Sequence, residues 1–502
     1  MVSRKVGWSF KSGKSCKLRF ICLIVLALAF LSVPELFAGS SKIADTKVAN
    51  DFDLVILNAR VIDPETGLDK TGLNIGIRGR TIEAITPKAI KGHKIINADG
   101  RVASPGLIDL LTYDPTEYGV WFKVADGVTT TLAMHGGAVY PNSWLRIFEK
   151  RGVPVNFGAA FFYNGARLKL GIGHHSTATK TQVEELAEMA KKAILKGALG
   201  IGMSLEYAPG TTRAEVLAMM EVAAKFDVPV FFHVRHSDME APGTNIEALE
   251  EVLTLAKKTG ASIHIDHLNS TGGTFSMKES LEMLRKAKKA GVDITACTYP
   301  YPYWATYLNS ARFSKGWQKR FRITYKDLQL GGTKEILTKE SFKKYKKQGK
   351  LAVAYAMPEE EIDMVIAAPF VMIGSDGMIQ THHNNHPRGA GAFARTISEY
   401  VYKRKVITLM DAISKMTIMP AKRLEKMSSA MKKKGRIQLG ADADIIVFDP
   451  LKVKDKATVE KPNQFSRGFD YVINGGVIVK DPKGFNKKSR PGLAIRYEAS
   501  KN

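Results

Sequence analysis

The sequence predicts an α/β chain: a TIM (β/α)8 barrel, a small β-sandwich domain built from both termini, and an inserted lid segment. Three observations predict it. Apolar strand-like runs alternate with amphipathic helices through the middle of the chain, and eight such runs end near Asp109, His135, Phe162, Ser204, His233, His267, Tyr299 and Asp376. Short strand-like runs with Pro, Gly and Asp turns fill 51–104 and recur over 435–485. The stretch from about 308 to 365 breaks the rhythm and is rich in Lys. At 502 residues, 45% apolar and 25% charged, the chain has the length for several domains and the balance of a globular protein. That excludes disorder, a collagen-like repeat and a multi-span membrane protein.

Taken in chain order, residues 1–38 form an address. Arg4, Lys5, Lys11, Lys14, Lys17 and Arg19 precede an apolar run from Phe20 to Val33, then Pro34 and Leu36-Phe37-Ala38 before Gly39. The run is 14 residues, shorter than a spanning helix requires. It predicts a cleaved signal peptide and an exported, periplasmic or secreted protein; an uncleaved N-terminal anchor is the rival reading. The β-sandwich begins with Leu54–Leu57, Ala59–Ile62, Asn74–Ile77 and Ile82–Ile85.

The barrel is predicted over 105–430. Val183, Leu186, Ala187, Ala190 and Ile194 repeat at helical spacing, as do Val216, Leu217, Met220 and Ala224. Leu249, Val252, Leu253 and Ala256 do the same before Lys257-Lys258-Thr259-Gly260, a basic last turn with a glycine stop. A doubly wound sheet would want a Gly-rich phosphate loop after an early strand, and none is present. The insertion falls after the seventh strand. Ala443–Phe448, Tyr471–Asn474 and Val477–Val479 then return to the sandwich.

Lys and Arg number 74 against 49 Asp and Glu, a formal charge of +25 that becomes +20 once six basic and one acidic residue leave with the signal. The basic residues are scattered along helix faces without a finger, RRM or helix-turn-helix signature, so no nucleic-acid partner is expected. The charge would favour a small anionic substrate. Of three cysteines, Cys16 and Cys22 lie in the signal, which leaves Cys297, inside a strand, as a buried small hydrophobe.

Ten of the 11 histidines lie between residues 135 and 386. His135, His233 and His267 each close a predicted strand, and Asp376 closes the eighth. A barrel brings these ends to one mouth. Three imidazoles with an open fourth position suit a catalytic zinc, and a carboxylate beside them can take and return a proton. His264 is read as core or as support for the site. Tyr299, Tyr301, Tyr303 and Trp304 either line an acyl pocket or pack at the rim. His382, His383 and His386 lie in a loop beyond Asp376, and His174 and His175 at the surface. No Ser-His-Asp arrangement with a nucleophile elbow is evident.

From about Asp53 to about Asp481 the sequence resembles the D-aminoacylase branch of the metal-dependent amidohydrolase superfamily. The segments that carry the resemblance are Ser104-Pro-Gly-Leu-Ile-Asp109, Asp126-Gly-Val-Thr-Thr130, Gly197–Tyr207, Phe232-His-Val-Arg235, His267-Leu268, Tyr299-Pro-Tyr301, Ser375-Asp-Gly377, His386-Pro-Arg388 with Ala392–Arg395, and Gly440–Asp449. The resemblance implies metal ligands at His135, His233 and His267, a catalytic Asp376, and Tyr207 and Arg388 as holders of a substrate α-carboxylate. An Arg fork suits that bidentate task.

Three departures from the family pattern matter. Its His-x-His pair at the end of the first strand is replaced by Leu111 and Tyr113, which implies one zinc ion rather than two. A bridging Cys is replaced by His135, and a Lys after His-Leu by Asn269. The implied activity is zinc-dependent hydrolysis of N-acyl-D-amino acids, with N-acyl-D-glutamate as the first candidate. A cyclic amidase of hydantoinase or dihydroorotase type, and a catalytically inactive protein that binds an envelope ligand, are the alternatives.

Overall fold

The computed structural model describes residues 51–377, 379 and 381–499. The segment assigned to export, 1–38, lies outside them. Among the described residues no helix is long and apolar enough to cross a membrane.

Eight strands run parallel in chain order: β1 (Leu107–Asp109), β2 (Val128–Ala138), β3 (Asn156–Phe162), β4 (Ile201–Ser204), β5 (Val230–His233), β6 (Ile263–Ile265), β7 (Ile294–Thr298) and β8 (Val371–Ile373). Their residues are almost all buried, as expected of strands covered by helices outside and side chains inside. The seam between β8 and β1 is closed beyond the strand ends. There the Asp376 N–H donates to the Leu111 carbonyl at 2.8 Å, and Thr112 bridges Gly377.

The connecting helices start and stop where their sequences demand. Thr179, Thr212 and Thr244 each cap a helix (Lys180–Leu195, Arg213–Lys225, Asn245–Thr259), and a Gln or Glu three residues on returns the bond. The third ends at Gly260 in the left-handed conformation, φ 71°, which a side chain would disfavour.

Strands from 52–105 and 445–485 form one nine-stranded sheet. Its halves join where Val102–Pro105 pairs antiparallel with Ile445–Phe448. Leu54, Ile56, Val61, Ile75, Ile77, Ile445, Val447 and Ile473 share a core separate from the barrel's. Alternate residues of each strand supply it.

The insertion is a three-stranded antiparallel sheet (Trp304–Tyr307, Leu328–Leu330, Leu351–Ala354) with helices Trp317–Phe321 and Lys339–Lys347. It begins four residues before the expected 308, because Trp304–Tyr307 pairs with Leu351–Ala354 rather than lying in a loop. The helix Glu359–Ala367, expected inside the insertion, instead leads back into β8. Beyond Phe485 the chain continues across the barrel: Gly492 N–H bonds Val153 O, Ile495 N–H bonds Phe157 O, and Phe157 N–H bonds Leu493 O.

Candidate functional site

The strand ends converge on a cavity of about 270 Å³ whose wall includes His135, His233, His267, Tyr207, Asp376 and Arg388. One ring nitrogen of each of the three histidines lies within 4.8 Å of the other two, and all three side chains are buried. His233 is the last residue of β5. His135 stands three residues before the end of β2, and His267 and Asp376 follow the ends of β6 and β8. His267 (φ 28°) and Asp376 (φ 48°) have left-handed backbones, which few residues other than glycine adopt without cost. Neighbouring strands hold them there. The His267 N–H meets the Cys297 sulfur at 3.3 Å, and Leu111 and Arg388 bond the main chain of Asp376.

Each imidazole is oriented by a partner at its outer nitrogen. His135 Nδ1 lies 2.8 Å from Asp266 Oδ2, His233 Nε2 2.8 Å from Glu206 Oε2, and His267 Nδ1 3.2 Å from Thr271 Oγ1. The inner nitrogens of His233 and His267 face one another at 3.2 Å. With protons on the outer nitrogens both inner ones are lone pairs, a repulsive arrangement that a cation between them relieves. The donor set therefore fits a metal. Burial, opposed by Glu206, lowers His233 to about 4; burial and the neighbouring positive charges push His267 well down. Both rings are neutral near pH 7, the form that ligates. Burial works against His135, but its bond to Asp266 leaves it raised. Burial alone would raise Glu206; the Arg312 charge and the bond from His233 hold it down to about 2.

Asp376 is gripped from two sides. Arg388 Nη2 lies 2.7 Å from Oδ2, and the Tyr113 hydroxyl donates to Oδ1 at 3.2 Å. His267 Nε2 is 3.9 Å from Oδ2. Tyr207 stacks obliquely on His233 with centroids 4.7 Å apart and donates to Thr306 of the insertion at 3.2 Å. Leu111 is fully buried and Tyr113 is committed to Asp376, so β1 sends no ligand toward the three imidazoles.

Tyr299 and Tyr301, expected at the acyl pocket, do not line the cavity. Tyr299 lies behind Arg388, its ring centroid 4.7 Å from the guanidinium carbon, and Tyr301 packs against Arg395 at 4.9 Å. The insertion supplies the wall instead through Trp304, Thr306, Tyr307 and Arg312. His386 also lines the cavity; its Nδ1 accepts the Arg388 N–H at 2.9 Å. His174 sits exposed at the rim, and His382 packs on Tyr118. His264 and Cys297 are buried beneath, His264 bonded to Thr295.

Glu206, Asp266 and Arg312 were not singled out from sequence, and Tyr113 was read only as the replacement for a family His. A carboxylate beside Tyr207 at the end of a strand was the available signal for Glu206, and Asp266 precedes His267 directly. Nothing local marks Arg312, whose Nη2 reaches the Ser270 carbonyl at 2.9 Å and whose guanidinium covers Trp304 at 4.1 Å.

Residues 116–480 match the amidohydrolase family. The chain is 28% identical over 490 residues to an N-acyl-D-glutamate deacylase of Alcaligenes xylosoxydans xylosoxydans, covering 89% of this chain and 97% of that one. It is 26% identical to a D-aminoacylase of the same organism, covering 89% and 98%. Among solved structures, the N-acyl-D-glutamate deacylase of Bordetella bronchiseptica, complexed with zinc and a phosphonate inhibitor, superposes with a TM-score of 0.76 at 24% identity, covering 89% and 100%.

Proposed function

The chain belongs to the amidohydrolase family, and on that footing we propose that it hydrolyses the amide bond of N-acyl-D-amino acids, N-acyl-D-glutamate first among them. The products are a carboxylate and the free D-amino acid. The observation that carries the reading is the convergence of His135, His233 and His267 with Asp376 and Arg388 on one cavity. The names of the relatives give the substrate class.

His135, His233 and His267 would hold a single zinc ion, since Leu111 and Tyr113 replace a second ligand pair. A zinc ion there supplies Lewis acidity, acidifying water and polarising the acyl carbonyl. Asp376 accepts a proton from the water that adds to the acyl carbon. It returns that proton to the amide nitrogen as the C–N bond breaks. Tyr207 and Arg388 hold the α-carboxylate, and Arg312 adds positive charge to the insertion side of the cavity. The segment 1–38 would export the protein, placing the reaction in the periplasm or outside the cell.

Purified protein is to be assayed for amine release from matched N-acetyl-D- and N-acetyl-L-amino acids, with and without chelator. Turnover of D substrates alone, abolished by chelator and restored by zinc, is the expected outcome. Turnover of L substrates, or activity indifferent to chelator, overturns the reading.

A further inference from the structure

The carboxylate that would accept the proton is covered by a side chain of the same site. Arg388 lies on Asp376 through two contacts, Nη2 to Oδ2 at 2.7 Å and Nε to the main-chain carbonyl at 2.8 Å. The same Oδ2 lies 3.9 Å from His267 Nε2. Oδ1 is occupied by the Tyr113 hydroxyl. A carboxylate oxygen engaged by a guanidinium at that distance is not open to a water molecule at the same time, so the contact blocks access to it. The group needed to hold the substrate and the group needed to take the proton therefore restrain each other.

We propose that Arg388 is a substrate-operated latch on Asp376, released when the α-carboxylate of an incoming substrate takes the place of Oδ2 on the guanidinium. The inference rests on the reading of the site as an amide hydrolase. The exchange is like for like, carboxylate for carboxylate, so Arg388 is not left as an unpaired buried charge. The fixed parts of the site suit such a movement. The Nε bond ties Arg388 to the Asp376 backbone rather than to the moving carboxylate, the Arg388 N–H is held by His386 Nδ1 at 2.9 Å, and the Tyr299 ring gives the cation a flat face on which to shift. Tyr113 keeps Oδ1 in place while Oδ2 is freed. Leu111 and Tyr113, where the family pattern has a His pair, are what leave this hydroxyl free to serve Asp376. A neutral amide without an α-carboxylate cannot make the exchange, so Asp376 stays covered. Discrimination then appears in kcat as well as in KM.

Two experiments test this. In metal-free protein, calorimetry compares N-acetyl-D-glutamate with its α-carboxamide. Asp376→Asn is expected to bind the acid at least about tenfold more tightly than the wild type, with the carboxamide unchanged, because Arg388 no longer has to leave a partner. In an Arg388→Ala background that gain is expected to vanish. A gain that survives there is plain repulsion between carboxylates, and overturns the latch, as does the absence of any gain.

In zinc-loaded protein, Arg388→Ala is expected to lower kcat/KM for the acid about 100-fold or more, yet to raise kcat for the carboxamide several-fold. An unchanged or lowered carboxamide kcat counts against the proposal. Arg388→Gln, with thermal melting of each variant, guards against misfolding. If no form hydrolyses either compound, the amide-hydrolase reading fails, and the calorimetry still decides whether Arg388 is shared between Asp376 and a carboxylate.

Discussion

Each of the three imidazoles has one nitrogen turned inward and one held by a neighbour, and the neighbour decides how well the ring can ligate. Glu206 has the strongest such role, since its Oε2 lies 2.8 Å from His233 Nε2 and is also bonded by Ser237. Glu206→Gln is expected to weaken zinc binding about 10- to 100-fold while leaving all three ligands in place. Competition with a chromogenic chelator measures it, and an unchanged affinity would remove Glu206 from the site. The pH dependence of stability carries a matching sign. His233, lowered to about 4, favours folding above its unfolded value of about 6.5 and loses that contribution as pH falls toward 4. Glu206, lowered to about 2, contributes above about 4.3 and loses it as pH falls toward 2. His135, raised by Asp266, acts in the opposite sense, favouring folding at low pH and ceasing to as pH rises through its folded value. Metal-free protein is therefore expected to lose thermal stability between about pH 6.5 and 2, with the Glu206→Gln variant losing less over the lower half of that range.

At the scale of elements, the closure of the barrel and the placement of Asp376 are one event. Lys123 Nζ bonds Asp109 Oδ2 at 2.9 Å and Ser375 Oγ at 2.7 Å, and Asp109 Oδ1 accepts the Ser375 N–H at 3.0 Å. All three are buried. This network pins the end of β1 to the turn after β8, where Asp376 holds its left-handed conformation. Lys123→Met would leave Asp109 as a buried anion without its cation, a loss of about 3–5 kcal/mol. Denaturant unfolding is expected to show that loss, and kcat to fall with it as Asp376 shifts. The double variant Asp109→Asn with Lys123→Met is expected to recover part of the stability, because no charge is then left unpaired. A single-variant loss under about 1 kcal/mol would mean that the seam is held elsewhere.

For the molecule as a whole, the first and the last of the described segments are both built into the scaffold. The N-terminal strands complete the sheet begun by 445–485, and the segment after Phe485 runs along the barrel as far as Gly197, whose carbonyl accepts the Tyr497 N–H. Ile495 is fully buried there. Truncation after Ser489 is expected to cost about 3–6 kcal/mol, from one buried Ile and several backbone hydrogen bonds. A shift in the denaturation midpoint measures it; an unchanged midpoint would make the tail dispensable to the fold.

The sequence alone determined the alternation of strand and helix, the order of the eight barrel strands, and the residue types at their ends. These are matters of local periodicity and of stop signals such as Gly260, which each segment carries by itself. His135, His233, His267 and Asp376 were legible for the same reason: each follows an apolar run, and a barrel gathers such ends at one mouth. Tertiary structure alone decided what surrounds them. Asp109 meets Ser375 across 266 residues of chain, Tyr113 meets Asp376 across 263, and Tyr207 meets Thr306 of the insertion across 99. It also left Tyr299 and Tyr301 out of the cavity wall and put the insertion's side chains there. Contacts between residues so far apart depend on how whole elements pack, and hydrophobic periodicity says which face of an element is buried without saying against what. The latch of Arg388 on Asp376 belongs to that second class, because a sequence can present two charges but only a folded chain brings them to 2.7 Å.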